Sequence, residues 1–395
     1  MTRRGSDAST FDCRRRQVLS LLGGSAAVAI AERFGWLDEL AAVLTAQAPT
    51  GGAKIAVPAG GVIRTVTGDI DPNSFSGGTL MHEHLGNGRP PQARGGGGPL
   101  PVDNPTQDAA WMAEELTLAR KNGNLGCIVA AGLNMPGADN AAYLTKLSQT
   151  SGVKVVAAAA YYTPQSYPRG TDTLSEDAIA DLVVKGANEF RLGAYGELGC
   201  ANDEADLQPI EKKVFRAFAK AQARTNLPIF THTNYSTGPN VSMDMALRQL
   251  DALEAAGGKP SSIAIGHVCC HDDPMVDIAK RVARRGAFVA FDRMTRQQQW
   301  VSDARRIEMM KALIDAGLVD QLLISSDYIG RINTATGELP GYPGSLHARD
   351  GGPGYARPFI LAVPLMMKAA IPVDAIRRIT VDNPRRFLTF VPSRV

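Results

Sequence analysis

The 395-residue sequence lacks several features that mark specialised classes of protein. It has five cysteines and no CxxC pair, so neither a disulfide framework nor a cysteine-based zinc module is indicated. It contains no GxxxxGKS/T loop and no GxGxxG turn after a predicted strand, which disfavours the nucleotide-binding α/β folds. Histidine is also scarce, with six in the chain, so the position of each one is informative.

A large excess of charge of one sign is absent as well. The formal net charge is +3, from 42 basic and 39 acidic residues. Five arginines among the first 16 residues outnumber the two aspartates there by three, so the rest of the chain is close to neutral. No basic stripe interleaved with aromatic residues occurs, which argues against nucleic acid as a partner.

Long hydrophobic runs are missing too, and the apolar run over 18–31 is too short for a stable membrane span. This run follows Arg14-Arg15-Arg16-Gln17-Val18-Leu19 and is rich in glycine and alanine, which predicts a twin-arginine signal over 1–31. The alternative is a basic tail before an ordinary helix. Cleavage after Ala31 and cleavage after Ala46 both fit, and 32–60 is predicted to be a linker or a short amphipathic helix. We therefore expect the twin-arginine export machinery as a partner and a periplasmic or extracellular location.

From Val62 onward, short apolar runs alternate with longer amphipathic runs, a pattern typical of repeated βα units around a parallel sheet. Eight predicted strands favour an α/β fold of the (β/α)8 TIM-barrel type over 61–395, with the catalytic site at the C-terminal ends of the strands. The predicted strands are 79–84, 127–131, 153–159, 190–199, 228–232, 263–267, 287–292 and 322–327, and predicted helices include 109–121, 210–225, 242–256, 274–285 and 305–316.

Four of the six histidines fall at the C-terminal ends of predicted strands: His82, His84, His232 and His267. Those ends share one face of a barrel, and residues two apart in a strand point the same way, so His82 and His84 can reach one cation. A lone histidine in an apolar run is usually a core residue, but four at one face favour metal ligation.

Two carboxylates and two cysteines fall at comparable positions. Glu197 and Asp327 lie at the ends of the fourth and eighth predicted strands, where a buried carboxylate is costly unless it is paired or bound to a metal. Imidazole nitrogen combined with carboxylate oxygen suits zinc, manganese, iron or cobalt, and zinc is the default expectation. The thiols are predicted to be mostly buried small side chains, with Cys200 and Cys269 near the site because they also follow strand ends.

These residues occur in an ordered set of motifs that resembles the phosphotriesterase family of the amidohydrolase superfamily over about 62–388. The resemblance implies a barrel with two divalent metal ions joined by a bridging hydroxide. It implies that His82, His84 and Asp327 hold the more buried metal, that His232 and His267 hold the more exposed one, and that Asp327 also shuttles a proton. The motifs are Thr79-Leu80-Met81-His82-Glu83-His84, Gly196-Glu197-Leu198-Gly199, Thr231-His232-Thr233, Gly266-His267, Phe291-Asp292-Arg293, Ser326-Asp327 and Asn383-Pro384-Arg385-Arg386-Phe387-Leu388.

Glu197 departs from the organophosphate hydrolases and lactonases of that family, which place a carbamylated lysine at the matching position. It resembles instead a phosphotriesterase-related branch that has glutamate in a matching Gly-Glu-Ile-Gly setting. Both groups offer two oxygens on a flexible stem, so glutamate can bridge two metals without carbon dioxide. The resemblance therefore makes organophosphate hydrolysis the less favoured activity.

Other residues are candidates by their position after predicted strands. Tyr162 matches a tyrosine that lines the pocket of related lactonases, and Arg293 matches an arginine after the seventh strand. An ordinary loop tyrosine and a surface arginine are the alternatives. Asp292 is predicted to orient a ligand histidine. His271 and His347 are predicted to be surface or loop residues.

The sequence thus predicts a binuclear metal-dependent hydrolase that acts on ester, lactone or amide bonds of a small-molecule substrate. The alternatives are a phosphotriester hydrolase and an exported metal-containing binding protein without catalysis. A trinuclear barrel phosphoesterase would need more histidine ligands than six residues readily supply. A second copy of the chain, in a homodimer, is a candidate partner.

Overall fold

The computed structural model describes residues 54–86, 108–133, 135, 137–201, 206–236, 242–295, 301–328 and 347–393. The predicted signal over 1–31 and most of the predicted linker over 32–60 lie outside the described residues. An antiparallel ribbon of β1 (Ile63–Thr65) and β2 (Gly68–Ile70) precedes the main sheet. No helix in the described ranges has the length and apolar character needed to cross a membrane.

In the part of the chain that the structure describes, eight parallel strands form the main sheet. Three are joined in the order β3-β4-β5, and five in the order β6-β7-β8-β9-β10. A parallel bridge between Ala158 and Ala194 links the two sets at one seam. At the other seam, the amide of Asp327 donates to the His82 carbonyl at 3.1 Å and the amide of His84 donates to the Tyr328 carbonyl at 2.9 Å. The strands are β3 (Gly78–Glu83), β4 (Leu125–Ala130), β5 (Lys154–Ala157), β6 (Tyr195–Gly199), β7 (Ile229–His232), β8 (Ile263–Ile265), β9 (Phe288–Phe291) and β10 (Leu322–Ile324).

The helices alternate with the strands, as a (β/α)8 barrel requires, so the predicted fold class is confirmed. Local signals define several helix ends: Asp108 accepts hydrogen bonds from the first-turn amides of one helix, and Asn124 ends it in the left-handed conformation. The helices are α1 (Ala109–Gly123), α2 (Ala138–Ser151), α3 (Glu176–Glu189), α4 (Pro209–Thr225), α5 (Met245–Glu254), α6 (Asp277–Arg284), α7 (Asp303–Asp315), α8 (Val363–Lys368), α9 (Val373–Arg377) and α10 (Asn383–Leu388).

Several predicted strand boundaries differ from the structure. The strand predicted over 190–199 begins at Tyr195, because α3 continues to Glu189 and Phe190 is its C-terminal cap. The strands predicted to end at His267 and Asp327 stop at Ile265 and Ile324. Both residues adopt left-handed backbone angles, with φ of 59° and 48°, which end regular strand geometry. The candidate ligands therefore lie in the first residues beyond these strands.

Two layers of apolar side chains stabilise the barrel. One fills its interior and includes Met81, Val129, Val156, Phe230 and Leu323. The larger one lies between the strands and the helices. Neighbouring residues of one strand, such as Val155 and Val156, belong to different layers because side chains alternate across a strand. The interior layer packs directly below the candidate metal ligands, which lie at the C-terminal ends of the strands.

Candidate metal centre

One cluster of candidate ligands lies at the seam where β3 meets β10. His82 is within β3, His84 directly follows that strand, and Asp327 follows β10. The Nε2 atom of His84 lies 3.0 Å from Asp327 Oδ1, and the Nε2 atom of His82 lies 3.8 Å from the same oxygen. These three ligand atoms are within 4.8 Å of one another, close enough to share one ion.

A second cluster comes from β6, β7 and the turn after β8. Glu197 Oε1 lies 2.6 Å from His232 Nδ1 and 3.2 Å from His267 Nε2. The two ring nitrogens are 2.9 Å apart. The ligand atoms of this cluster also lie within 4.8 Å of one another.

Glu197 connects the two clusters. Its Oε1 faces His232 and His267, whereas its Oε2 lies 3.5 Å from His82 Nε2 and 3.7 Å from His84 Nε2. Each carboxylate oxygen therefore addresses a different cluster, which is the arrangement that a bridging carboxylate needs. The structure thus brings together all six side chains that the sequence singles out as candidate ligands.

Asp292, directly after β9, orients two of the histidines. Its Oδ2 lies 2.9 Å from His82 Nδ1, and its Oδ1 lies 3.0 Å from His267 Nδ1. A carboxylate accepts from these nitrogens, so both rings hold a proton on Nδ1 and leave Nε2 as the nitrogen that faces the site. His84 is held in the same tautomer because its Nδ1 lies 3.1 Å from the Ala131 carbonyl oxygen.

The donor set fits a divalent cation. His82 Nε2 is buried and has no hydrogen-bond partner among the described residues, a costly state that a cation would relieve. The Nδ1 contacts turn the Nε2 atoms of His82, His84 and His267 inward, and two carboxylates lie beside them. These nitrogen and oxygen donors match the preference of zinc and similar ions.

Charge and burial shift the pKa values of these groups strongly. Burial alone would raise the pKa of Glu197, but the charges of His82 and His232 lower it well below its usual value. Burial would lower the pKa of His267, but Asp292 raises it to about 9. For His232, burial dominates and lowers the pKa. The lowered pKa keeps the Glu197 carboxylate ionised, as metal ligation requires.

Two glycines allow the close packing around the candidate ligands. A Cβ on Gly196 would lie 2.2 Å from the Phe230 ring. A Cβ on Gly266 would lie 1.8 Å from the Thr231 carbonyl oxygen. Each glycine directly precedes a candidate ligand, so any larger residue would displace the strand that carries it.

Arg293 and Tyr162 both lie at the site. Arg293 Nη2 is 2.7 Å from Asp327 Oδ2, and its side chain is 13% exposed. Burial would lower the pKa of Arg293, but Asp327 and other nearby anionic groups raise it, so the guanidinium stays charged. The Tyr162 hydroxyl lies 3.3 Å from His232 Nε2 and 3.4 Å from its Nδ1. The alternative of a surface arginine does not hold.

The four cysteines among the described residues are buried, as predicted, and Cys200 and Cys269 lie next to the site. Cys200 Sγ is 3.7 Å from the His232 carbonyl oxygen, and Cys269 Sγ is 3.9 Å from Asp292 Oδ1. His347, predicted to be a surface or loop residue, lies in a loop but is buried, with Nδ1 3.1 Å from the Tyr328 hydroxyl. His271 is half-buried, with its ring centroid 5.1 Å from that of Tyr235.

Sequence reasoning missed two buried residues that contact the strands bearing the ligands. Gln249 on α5 donates to the His232 carbonyl at 2.6 Å. Glu83, between His82 and His84, accepts hydrogen bonds from the segment around Asp327. The only sequence signal for either is a polar residue in an apolar context, which is common in amphipathic helices and at strand ends.

Comparison with known proteins is consistent with this geometry. The family model described as "Phosphotriesterase family" matches residues 61–388. The "Phosphotriesterase homology protein" of Escherichia coli (strain K12) is 28% identical over 324 residues, covering 80% of this chain and 99% of that protein. The "N-acetyltaurine hydrolase" of Danio rerio is 28% identical over 374 residues, covering 84% of this chain and 98% of that protein.

Two solved structures are also similar to this chain. The crystal structure of the Escherichia coli protein, complexed with phosphate in its active site, is 25% identical, with a TM-score of 0.63 and coverage of 81% of this chain and 100% of that one. That of a resiniferatoxin-binding protein from Rhodobacter sphaeroides is 26% identical, with a TM-score of 0.65 and coverage of 83% and 95%. The family is metal-dependent, and the described residues contain candidate metal clusters. This chain belongs to the phosphotriesterase family and is a hydrolase of that family.

Proposed function

We propose that this protein is a binuclear metal-dependent hydrolase of carboxylic esters, lactones or amides, and that N-acylated amines bearing an acidic group are its preferred substrates. The observation that carries the proposal is the position of Glu197, whose two oxygens each face a separate cluster of histidines. His82, His84 and Asp327 would hold one ion, and His232 and His267 the other. Zinc is the expected metal, with manganese, iron and cobalt as alternatives.

Two divalent ions held by these residues would supply a nucleophilic water at neutral pH and would polarise the scissile carbonyl oxygen. The chain itself supplies the proton transfer. The Asp327 carboxylate has one oxygen facing His84 and the other facing Arg293, and it can accept a proton and return it to the leaving group. An amine leaves from an amide only when it is protonated, so this return is the step that amide hydrolysis most needs.

Tyr162 and Arg293 provide the selective contacts. The Tyr162 hydroxyl, next to His232, can donate a hydrogen bond to a carbonyl or leaving-group oxygen. The Nη2 atom of Arg293 contacts Asp327, while its buried Nε has no hydrogen-bond partner among the described residues. A substrate carboxylate or sulfonate would give this guanidinium a second anionic partner, whereas a neutral phosphate triester offers no full charge.

The relative named as an N-acetyltaurine hydrolase supports this substrate class. N-acetyltaurine is an amide of a sulfonate-bearing amine. It therefore combines an acyl centre with the kind of acidic group that the Arg293 environment favours. The glutamate at position 197, in place of the lysine of organophosphate hydrolases, supports the same choice against phosphate triesters.

The test compares the zinc-reconstituted protein on matched substrates: N-acetyltaurine, N-acetyl amino acids, their uncharged amide analogues, a lactone and a phosphate triester. We expect kcat/KM for the charged N-acyl compounds to exceed that for the uncharged analogues. Arg293→Gln should reduce that preference about tenfold or more, which corresponds to about 1.4 kcal/mol.

Three results would contradict the proposal. Triester turnover that exceeds every acyl substrate tenfold would make the protein an organophosphate hydrolase. If Arg293→Gln lowered kcat/KM equally for charged and uncharged substrates, Arg293 would not select between the two classes. Stoichiometric binding without turnover of any substrate would favour the alternative of a metal-containing binding protein.

A further inference from the structure

Glu83 lies in the seam between β3 and β10, between the two candidate ligands His82 and His84 in sequence. Its side chain is completely buried. No ion pair joins it to a cation within the ranges that the structure describes. A buried carboxylate without a cation is costly unless hydrogen bonds replace its hydration, so its contacts indicate why the fold keeps it.

Among the described residues, every hydrogen bond to the Glu83 carboxylate comes from the segment that carries Asp327. Oε1 accepts from Ser325 Oγ at 2.7 Å, from the Ser326 amide at 2.7 Å and from Ser326 Oγ at 2.9 Å. Oε2 accepts from Ser326 Oγ at 3.0 Å and from the Tyr328 amide at 2.7 Å. The carboxylate thus holds the backbone amides on both sides of Asp327.

The backbone of Asp327 needs such support. Its φ of 48° lies in the left-handed region, which is disfavoured for an L-residue. This conformation directs Oδ1 to within 3.0 Å of His84 Nε2 and Oδ2 to within 2.7 Å of Arg293. A different φ at this residue would move both oxygens away from the candidate metal site.

We infer that Glu83 is a positioning residue that holds Asp327 in its metal-binding orientation by fixing the amides of Ser326 and Tyr328. This inference rests on the proposed binuclear site. Glu83 itself contacts neither substrate nor metal in this role. It acts through Asp327, so its effect on metal binding should depend on the presence of the Asp327 carboxylate.

Glu115 provides a matched control. It is also a completely buried glutamate, and it also accepts backbone amides, from Ala348 and Arg349 at 2.9 Å each. Its contacts lie on α1 and the segment at 347–350, away from the six candidate ligands. A glutamine at either position keeps the volume but turns an amide group toward backbone N–H donors, so both changes should lower stability.

The experiment measures zinc dissociation constants by competition with a chromophoric chelator, and thermal unfolding of the metal-free protein as a check of folding. We expect Glu83→Gln to weaken the binding of at least one zinc ion about 10- to 100-fold, and Glu115→Gln to change it less than about threefold. In an Asp327→Ala background, Glu83→Gln should have little further effect on zinc affinity.

Ser326→Ala is the second variant, for the case in which Glu83→Gln does not fold. It removes the Oγ hydrogen bonds to Glu83 and leaves the backbone intact, so we expect a smaller loss of zinc affinity that also disappears in the Asp327→Ala background. Equal effects of Glu83→Gln and Glu115→Gln, or an undiminished effect without the Asp327 carboxylate, would overturn the inference. A wild-type protein that binds no zinc would overturn the proposed function as well, which distinguishes the two failures.

Discussion

Glu197 is the residue at which the two histidine clusters meet, so the site should be most sensitive to its charge. Glu197→Gln keeps the shape of the side chain but removes the negative charge that both clusters share. We predict a fall from about two zinc ions per chain to at most one, and a loss of activity of at least about 100-fold, because a direct ligand should matter more than the groups behind it. Elemental analysis and acyl-substrate turnover are the measurements.

Glu211→Gln is the control for that change. Glu211 is equally buried and lies outside both clusters. It accepts the amides of Ala201, just after β6, and of Gln208, just before α4. The Glu211→Gln protein should therefore retain about two zinc ions per chain. If Glu197→Gln also kept two ions per chain and full activity, the bridge would lie elsewhere.

Asp292 should contribute through the two rings that it orients. Asp292→Asn leaves one acceptor oxygen for two Nδ1–H groups, so one of His82 and His267 loses its fixed tautomer. We predict a 10- to 100-fold weaker zinc affinity, measured by chelator competition. Asp273→Asn is the comparison, since Asp273 is a buried aspartate that accepts the Ile278 amide instead. A similar loss in both variants would mean that general destabilisation is the cause.

At the scale of secondary-structure elements, the segments after the strands are held in place by buried polar side chains. Arg306 on α7 is fully buried and donates to the Cys269 carbonyl at 3.2 Å, the Arg293 carbonyl at 2.7 Å and Asp303 Oδ1 at 2.7 Å. One side chain therefore ties α7 to the segments after both β8 and β9. Because these segments carry candidate site residues, the packing of α7 helps to position the site.

We predict that Arg306→Met lowers the free energy of unfolding by about 2–4 kcal/mol, because it leaves two buried carbonyls without their donor. The neighbouring Arg305 pairs with Asp272 and Glu308 in a partly exposed position. Arg305→Met should therefore cost at most about 1 kcal/mol. Urea unfolding of the metal-free variants measures both. Equal losses of unfolding free energy in the two variants would show that the burial of Arg306 adds nothing to stability.

At the scale of the whole molecule, bound metal should stabilise the folded state, since the ligands come from five strands or the turns after them and converge only when the barrel is closed. An ion that binds only the folded protein adds about 2.7 kcal/mol at a free concentration 100 times its dissociation constant. We predict a higher unfolding temperature for zinc-loaded than for chelator-treated protein. This increase should be much smaller in Glu197→Ala. An equal increase in both would point to zinc binding outside the site.

Export is also a property of the whole chain, and the signal over 1–31 remains a prediction from the sequence. Replacing Arg15 and Arg16 with lysine keeps the charge but changes guanidinium to ammonium. We predict that this double variant accumulates in the cytoplasm, whereas the wild-type protein reaches the periplasm or the medium. Cell fractionation is the measurement. An unchanged distribution would favour the alternative of a generic basic tail.

The sequence by itself determined the class of fold and the identity of the six candidate ligands. The alternation of apolar and amphipathic runs predicts which segments are strands and which are helices. In the His82-Glu83-His84 run, the two histidines are two residues apart, so in a strand they point to the same face. These are local properties, so they can be read without knowledge of which strands become neighbours. The burial of the cysteines follows from the same local context.

The tertiary structure alone decided how these residues are supported. Glu83 and Ser326 are 243 positions apart and meet only because β3 and β10 close the barrel. The contact of Arg293 with Asp327, the two-ring contact of Asp292 and the burial of His347 likewise depend on which segments pack together. The physical reason is that a buried polar side chain takes its partner from the nearest segment in space, and sequence periodicity contains no information on that neighbour.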